Sequence, residues 1–326
     1  MRTEGLAERV GDILLSCAGA PGTTIAGNFN FILNGTISNR LSAGNTLTGI
    51  VFTIDSGAGP QAVTIQPLLL NQFSLVFNGV PVTFSAQGTA KIDVSGIRVD
   101  ATYFALQAAI TASIAIDLGG FPVTTAPLVV GRPEPGLFAS NLGTLICAQN
   151  GSPLPDDDIT FSSLLERHTA FASTRFTEGF ADAFGPKSAP EYFNADTGQR
   201  MIVTYSGFPD DARLFVPDVI AGSNAVKQTA GGDFEVPASG GSYAPSTSGS
   251  LLLARVAGAS ADGTGGSPVY LPGPIGSGTV TFDGVSEIDP ANGTAFVVYE
   301  VVDANPFAVE SAQFPAWLGL LPDGNR

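Results

Sequence analysis

The chain has 326 residues, 44% of them hydrophobic, and a formal net charge of −15. That is ample apolar material for about two domains on the usual ~150-residue scale, and it argues against wholesale disorder. With 14 Lys and Arg against 29 Asp and Glu, the chain offers no basic surface for nucleic acid.

Forty glycines and 23 prolines punctuate short apolar runs, and there are three lysines, Lys91, Lys187 and Lys227. Such punctuation marks an all-β chain. The expected fold is two β-sandwich domains, of immunoglobulin-like or jelly-roll-like type, with long Gly/Ser/Pro loops. The first is expected over residues 1–149 and the second over 159–326. The linker is expected at 150–158, "NGSPLPDDD".

In chain order, the opening "RTEGLAERVGDILLSC" (2–17) concentrates charge in a chain that is only 13% charged. Leu6, Val10, Ile13 and Leu14 are spaced to suit a helix, but Gly5, Gly11 and the β-like "DILLSC" argue against one. The expectation is an extended polar lead over 2–9 and a strand over 10–17. Val10, Gly11, Asp12, Ile13, Leu14 and Leu15 form a candidate interaction strand that joins its own sheet or a neighbour's. Met1-Arg2 is followed by charge rather than an apolar run, so no signal peptide is expected within this sequence. The chain is then either cytosolic or a mature or partial exported chain, and the lysine-poor, Gly/Thr/Ser-rich composition favours the second. No window reaches the ~18–20 apolar residues of a transmembrane helix.

From residue 27 to about 130 the pattern is strand after strand. "FSLVFNGVPVTFSA" (73–86) predicts a hairpin turning at Asn78-Gly79. In "TAKIDVSGIRVDATYF" (89–104), Ala90, Ile92 and Val94, then Ile97, Val99 and Ala101, share one face. Lys91, Asp93, Arg98 and Asp100 take the other. Phe176, Phe180 and Phe184 stand at i, i+4 and i+8 before Gly185-Pro186, which predicts a short helical segment near 164–184. Strands return at 200–208, 212–220, 249–258, 278–288 and 293–304. Long loops lie at 229–249 and 260–278.

Catalytic signals are sparse, and the chain does not read as an enzyme. The single histidine, His168, has no nucleophile motif beside it. The acidic candidates for glycoside chemistry, Glu178, Asp182, Glu191, Asp196, Glu287 and Asp289, show no spacing that selects a pair. No cofactor is implied. Calcium is the one candidate ion, at Asp156-Asp157-Asp158, Asp210-Asp211 or Asp262, without EF-hand spacing. Cys17 and Cys147 are candidates for a disulfide that would staple the first domain, or are two buried thiols. Asn34, Asn150 and Asn292 fit the N-x-S/T pattern, though Asn-Gly also suits a turn.

The opening R-x-E-G-L-x-E-x-V-G-D-I followed by Cys resembles uncharacterised secreted β-rich proteins of acidobacterial and related soil bacteria. "FTEGFADAFGP" (176–186), "RLFVPDVIAGS" (213–223), "QTAGGDFEVPASGGSYAPSTSGSLLLARV" (228–256) and "YEVVDANPFAVESAQFP" (299–315) resemble them too. Members usually carry a signal peptide and run on past the Pro-rich end. The resemblance implies an exported surface protein and no assigned activity. Together these features lead to the expectation of a structural subunit of an extracellular or cell-surface assembly. Its partner would be a further copy, through β-strand addition into a homopolymer or filament. The alternative is a monomeric adhesin or glycan-binding module using loops 229–249 and 260–278, with glycans or other surface proteins as partners. A carbohydrate-active enzyme comes third.

Overall fold

The computed structural model describes residues 1–119, 121–142, 173–189, 195–207, 213–224 and 240–319. It is nearly all β, and its helical content is one 3-10 turn, Ala43–Asn45. The chain divides into two compact units, Met1–Gly136 and Leu137–Arg326. The linker expected at 150–158 lies outside the described residues.

The first unit runs β1 (Glu8–Arg9), β2 (Ile13–Ala18), β3 (Thr24–Leu33), β4 (Val51–Asp55), β5 (Pro60–Ala62) and β6 (Leu68–Asn71). It continues with β7 (Ser74–Thr83), β8 (Thr89–Ser95), β9 (Arg98–Val99), β10 (Ile110–Leu118), β11 (Phe121–Thr124) and β12 (Leu128–Gly131). One antiparallel sheet has the order β11-β10-β3-β7-β6, with β12 beside β10; a second has the order β2-β8-β4-β5. Their apolar faces share one core. Phe29 of β3 meets Phe52 of β4 edge to face at 5.2 Å, and Phe52 meets Phe77 of β7 at 4.9 Å. Burying each such ring contributes on the order of 1.5–3 kcal/mol. The alternation read in 89–101 holds: Ala90, Ile92, Val94, Ile97, Val99 and Ala101 are all buried.

The hairpin expected over 73–86 is not formed. Residues 74–83 are one strand, paired along its length with β3. Between the pairs Phe29–Phe77 and Gly27–Val80, Asn78 and Gly79 lie opposite Asn28 alone. This is a β-bulge, with Gly79 at φ +67° and its N–H donated to the Asn28 side chain at 2.8 Å. The bulge moves the inward phase from Leu75 and Phe77 to Val80 and Val82, all four fully buried. A two-residue turn and a bulge both need a left-handed glycine between two apolar arms, so the local sequence signal is the same for each. The Asn-Gly pair that does turn is Asn292-Gly293, at φ +53° and +69°, bridged by Ala291 and Thr294.

The opening segment is built into this unit. Val10 N–H donates to Ile97 O at 2.9 Å and Gly11 N–H to Val130 O at 2.7 Å. Arg2 and Glu8 form a nearly buried ion pair, and Arg2 N–H adds a bond to the same carboxylate at 2.9 Å. Gly5 lies so close to the Glu8 carboxyl that a Cβ would overlap it. Charged residues of the lead thus hold it in place rather than merely solvating it.

The second unit runs β13 (Leu137–Leu142), β14 (Ser173–Glu178), β15 (Arg200–Ser206), β16 (Arg213–Pro217), β17 (Val219–Ala221), β18 (Ser223–Asn224) and β19 (Gly241–Tyr243). It continues with β20 (Leu252–Ala257), β21 (Ser267–Pro268), β22 (Val280–Phe282), β23 (Val285–Ile288), β24 (Thr294–Asp303), β25 (Glu310–Pro315) and β26 (Trp317–Gly319). Its sheets are β13-β14-β25-β18, β15-β24-β20-β17 with β21 beside β20, β23-β16-β26, and β19-β22. Residues 173–178 of the expected helical segment are therefore strand, paired on both sides; 164–172 lie outside the described residues. Phe176 packs on Phe314 at 5.6 Å, and Phe184 joins the same core after a tight loop at 179–184. The helical spacing of the phenylalanines arises from a strand followed by a reversal.

Gly79→Ala should cost about 1–2 kcal/mol through its left-handed backbone alone, since open space surrounds the new methyl. Urea unfolding measures it; an unchanged midpoint would mean that residue 79 does not hold the bulge conformation.

Candidate functional site

The candidate site is a strand edge. In an antiparallel ladder, alternate residues aim their backbone N–H and C=O at the partner strand, and the residues between aim theirs away. On an edge strand the second set is left to water, a side chain or another chain.

Just past β2, Gly19 N–H donates to Gly88 O at 2.8 Å, which sets the phase of the β2–β8 ladder. Ile13, Leu15 and Cys17 face β8 with their backbone groups and the core with their side chains. Leu14, Ser16 and Ala18 turn their backbone groups outward and their side chains to solvent, Leu14 being 72% exposed. Among the described residues β2 pairs with β8 alone, and its sequence ILLSCA holds no proline, lysine or carboxylate.

Other edges of this unit are blunted. Thr125 N–H donates to Ile114 O, so Pro122 of β11 points its missing donor outward. Phe84 N–H donates to Thr23 O, which leaves Pro81 of β7 outward in the same way. Next to it the Ser56 hydroxyl donates to Thr83 O at 2.6 Å. Val63 N–H donates to Phe52 O, so Pro60 of β5 also faces out. β12 receives Gly11, and β6 is bridged by Thr46. Proline at outward positions is how a sheet rim refuses a further strand.

In the second unit β15 repeats the β2 arrangement. Gly207 N–H donates to Gly293 O at 2.9 Å, so Met201, Val203 and Tyr205 face β24. Ile202, Thr204 and Ser206 aim outward, again in a run without proline, lysine or carboxylate. This edge was not singled out in the sequence. Its signal there is the uncharged alternation of "MIVTYS", which looks the same for an interior strand.

The other expected site residues fall as follows. Of the candidate interaction strand, Val10 and Ile13 are buried, Leu15 is half-buried, and Asp12 is ion-paired with Arg9 at 2.9 Å. Cys17 is a free, half-buried thiol that desolvation pushes up and makes less reactive. Its expected partner Cys147 lies outside the described residues, as do His168, Asn150, Glu191, Asp156–Asp158 and Asp210–Asp211. The Asn34 amide is held between Thr111 N–H and Ala109 O. Asp262 caps its own loop, accepting from Thr264 N–H and Oγ, which lowers its pKa. Among the described residues no group of three His, Cys, Asp or Glu side chains converges as for a metal. Likewise no described helix is long and apolar enough to cross a membrane.

Glu178 and Glu310 come together, a pairing that spacing did not reveal. Both are buried, and each carboxylate serves two backbone donors. Glu178 accepts from Phe184 N–H and Glu310 N–H, both at 2.7 Å. Glu310 accepts from Leu251 N–H at 2.7 Å and Asn305 N–H at 2.6 Å. They fasten loops rather than face a substrate. A pocket of about 380 Å³ beside β5 is lined by Ile54, Ala62, Val63, Ile65, Pro81 and Thr83, among others. It presents aliphatic and hydroxyl groups with the Gln61 amide, and no aromatic ring on which a sugar could stack.

No family model matches the chain, and no curated protein matches it. Among solved structures, the viral chemokine-binding protein R17 of rodent gammaherpesvirus Peru aligns over 96% of this chain and 89% of its own. The identity is 10% and the TM-score 0.18, too low to carry an argument about fold or function.

Desolvation raises the Glu178 carboxyl to about 7, against the pull of its two backbone donors. The folded state therefore holds this proton more tightly than the unfolded state. The stability it contributes is complete below the ordinary carboxylate range and is lost as pH rises to about 7. The urea midpoint should thus fall between about pH 5 and 7 and level off above. Glu178→Gln should flatten that slope; an unchanged slope would remove Glu178 as its source.

Proposed function

We propose that this chain is a structural subunit of an extracellular or cell-surface assembly, joined to further copies of itself by β-strand addition. The observation that carries this reading is the β2 edge: three successive outward positions, Leu14, Ser16 and Ala18, uncharged and without a partner strand among the described residues, beside rims closed with proline. Proteins that stay monomeric protect such edges. A subunit that assembles needs one open, and backbone hydrogen bonds then supply affinity without a deep pocket.

The β15 edge supports the same reading. Two separate open edges on one chain allow each copy to hold two neighbours, so growth need not stop at a pair. The low lysine content and the absence of a catalytic constellation in the sequence fit a building block outside the cell. The strand-rich fold, with long Gly/Ser/Pro connections, fits too.

Light scattering and electron microscopy of the concentrated protein test this. Mass should rise with concentration, and fibres should form. Ser16→Pro deletes an outward N–H and leaves the β8 ladder intact, so it should abolish fibres with the fold retained by circular dichroism. A strict monomer at high concentration would sink the proposal.

A further inference from the structure

The β2 edge also specifies what it pairs with. We infer that β2 docks antiparallel against β2 of a second copy, centred on Ser16, fusing two sheets across a two-fold axis. This rests on the self-association reading above and names the partner, orientation and register of that same edge.

The limits of the free edge carry the register. At one end Gly11 N–H is already given to Val130 O. At the other, Ala20 O already accepts from Thr23 N–H and the Thr23 hydroxyl as the chain turns toward β3. The outward positions of β2 between these two are Leu14, Ser16 and Ala18, and Ser16 is the middle one. A strand that meets its own copy antiparallel about Ser16 places Leu14 opposite Ala18, Ser16 opposite Ser16, and Ala18 opposite Leu14. All three are outward-facing positions, so each pair can exchange two N–H···O bonds. A shift by one residue would set outward positions against inward ones and lose the ladder.

Side chains and charge agree with that register. On the outer face the exposed Leu14 meets the small Ala18 of the second copy, large against small, and two serine hydroxyls meet at the axis. On the inner face Leu15 meets Cys17, both half-buried against the first-unit core, so the apolar layer would continue from one copy into the next. Two chains of net charge −15 repel each other over most of their surfaces. The β2 strand is uncharged, and Asp12, paired with Arg9, would face Ala20 of the second copy. The junction therefore brings no like charges into opposition.

This pairing closes on itself at β2, so continued growth would pass through a second edge such as β15.

Site-directed crosslinking of the full chain tests it. Under mild oxidation, Ser16→Cys should migrate at twice the chain mass without reductant, with peptide mapping placing the bridge at position 16 of both copies. A mixture of Leu14→Cys and Ala18→Cys should crosslink far more than either variant alone. Three results would overturn the two-fold pairing. One is assembly without a bridge at position 16, with Ser16→Cys bridging instead to a Thr204→Cys chain; that would leave self-association standing. Another is a bridge within one chain from position 16 to Cys147, which would put the chain's own segment on the edge. The third is a protein that stays monomeric, which would overturn this inference and the proposed function together.

Discussion

An antiparallel sheet satisfies its interior backbone and leaves its rims unpaired. Each rim strand carries a row of N–H and C=O groups with no partner in the sheet, and burying or capping them has to be arranged from outside the ladder. In this chain the arrangements are visible one rim at a time. Pro60, Pro81 and Pro122 stand at outward positions, the Ser56 hydroxyl takes a carbonyl, and Gly11 closes β12. Among the described residues β2 and β15 have none of these devices, and that difference leaves them able to take a further strand.

The core determines which residues are left outward on β2. Phe29, Phe52 and Phe77 lock the two sheets of the first unit face to face, and Ile13 is buried with them. Because side chains and backbone directions alternate together along a strand, burying Ile13 commits Leu14, Ser16 and Ala18 to the open rim. The Arg2–Glu8 pair and the bonds of Val10 and Gly11 then fasten the lead that delivers β2 to its place. In the second unit buried carboxylates do comparable work. Glu178 and Glu310 each tie down two backbone donors, at the cost of holding a carboxyl in a poorly solvated site.

Much of the fold was legible in the sequence. The alternation of Ala90, Ile92 and Val94, the run at 110–118 and the long strand near 293–304 all stand as strands where pattern placed them. Two readings failed for related reasons. Asn78-Gly79 has the local chemistry of a turn, but β3 lies alongside it for its whole length and makes it a bulge. Phe176 and Phe184 keep helical spacing, yet β13 and β25 claim residues 173–178 from both sides. In each case partners distant in the chain decided between structures that look alike locally.

By itself, then, the sequence determined the all-β class, the strand alternation, the excess of acidic over basic residues and the strand character of 13–17. These depend on composition and on neighbours two residues apart. Tertiary structure alone decided which strands became rims, which prolines face outward on them, and that no strand among the described residues lies beyond β2. Rim and interior strands bury the same side-chain face and so share one pattern. What separates them is the presence of a backbone on the far side, which no residue of the strand encodes.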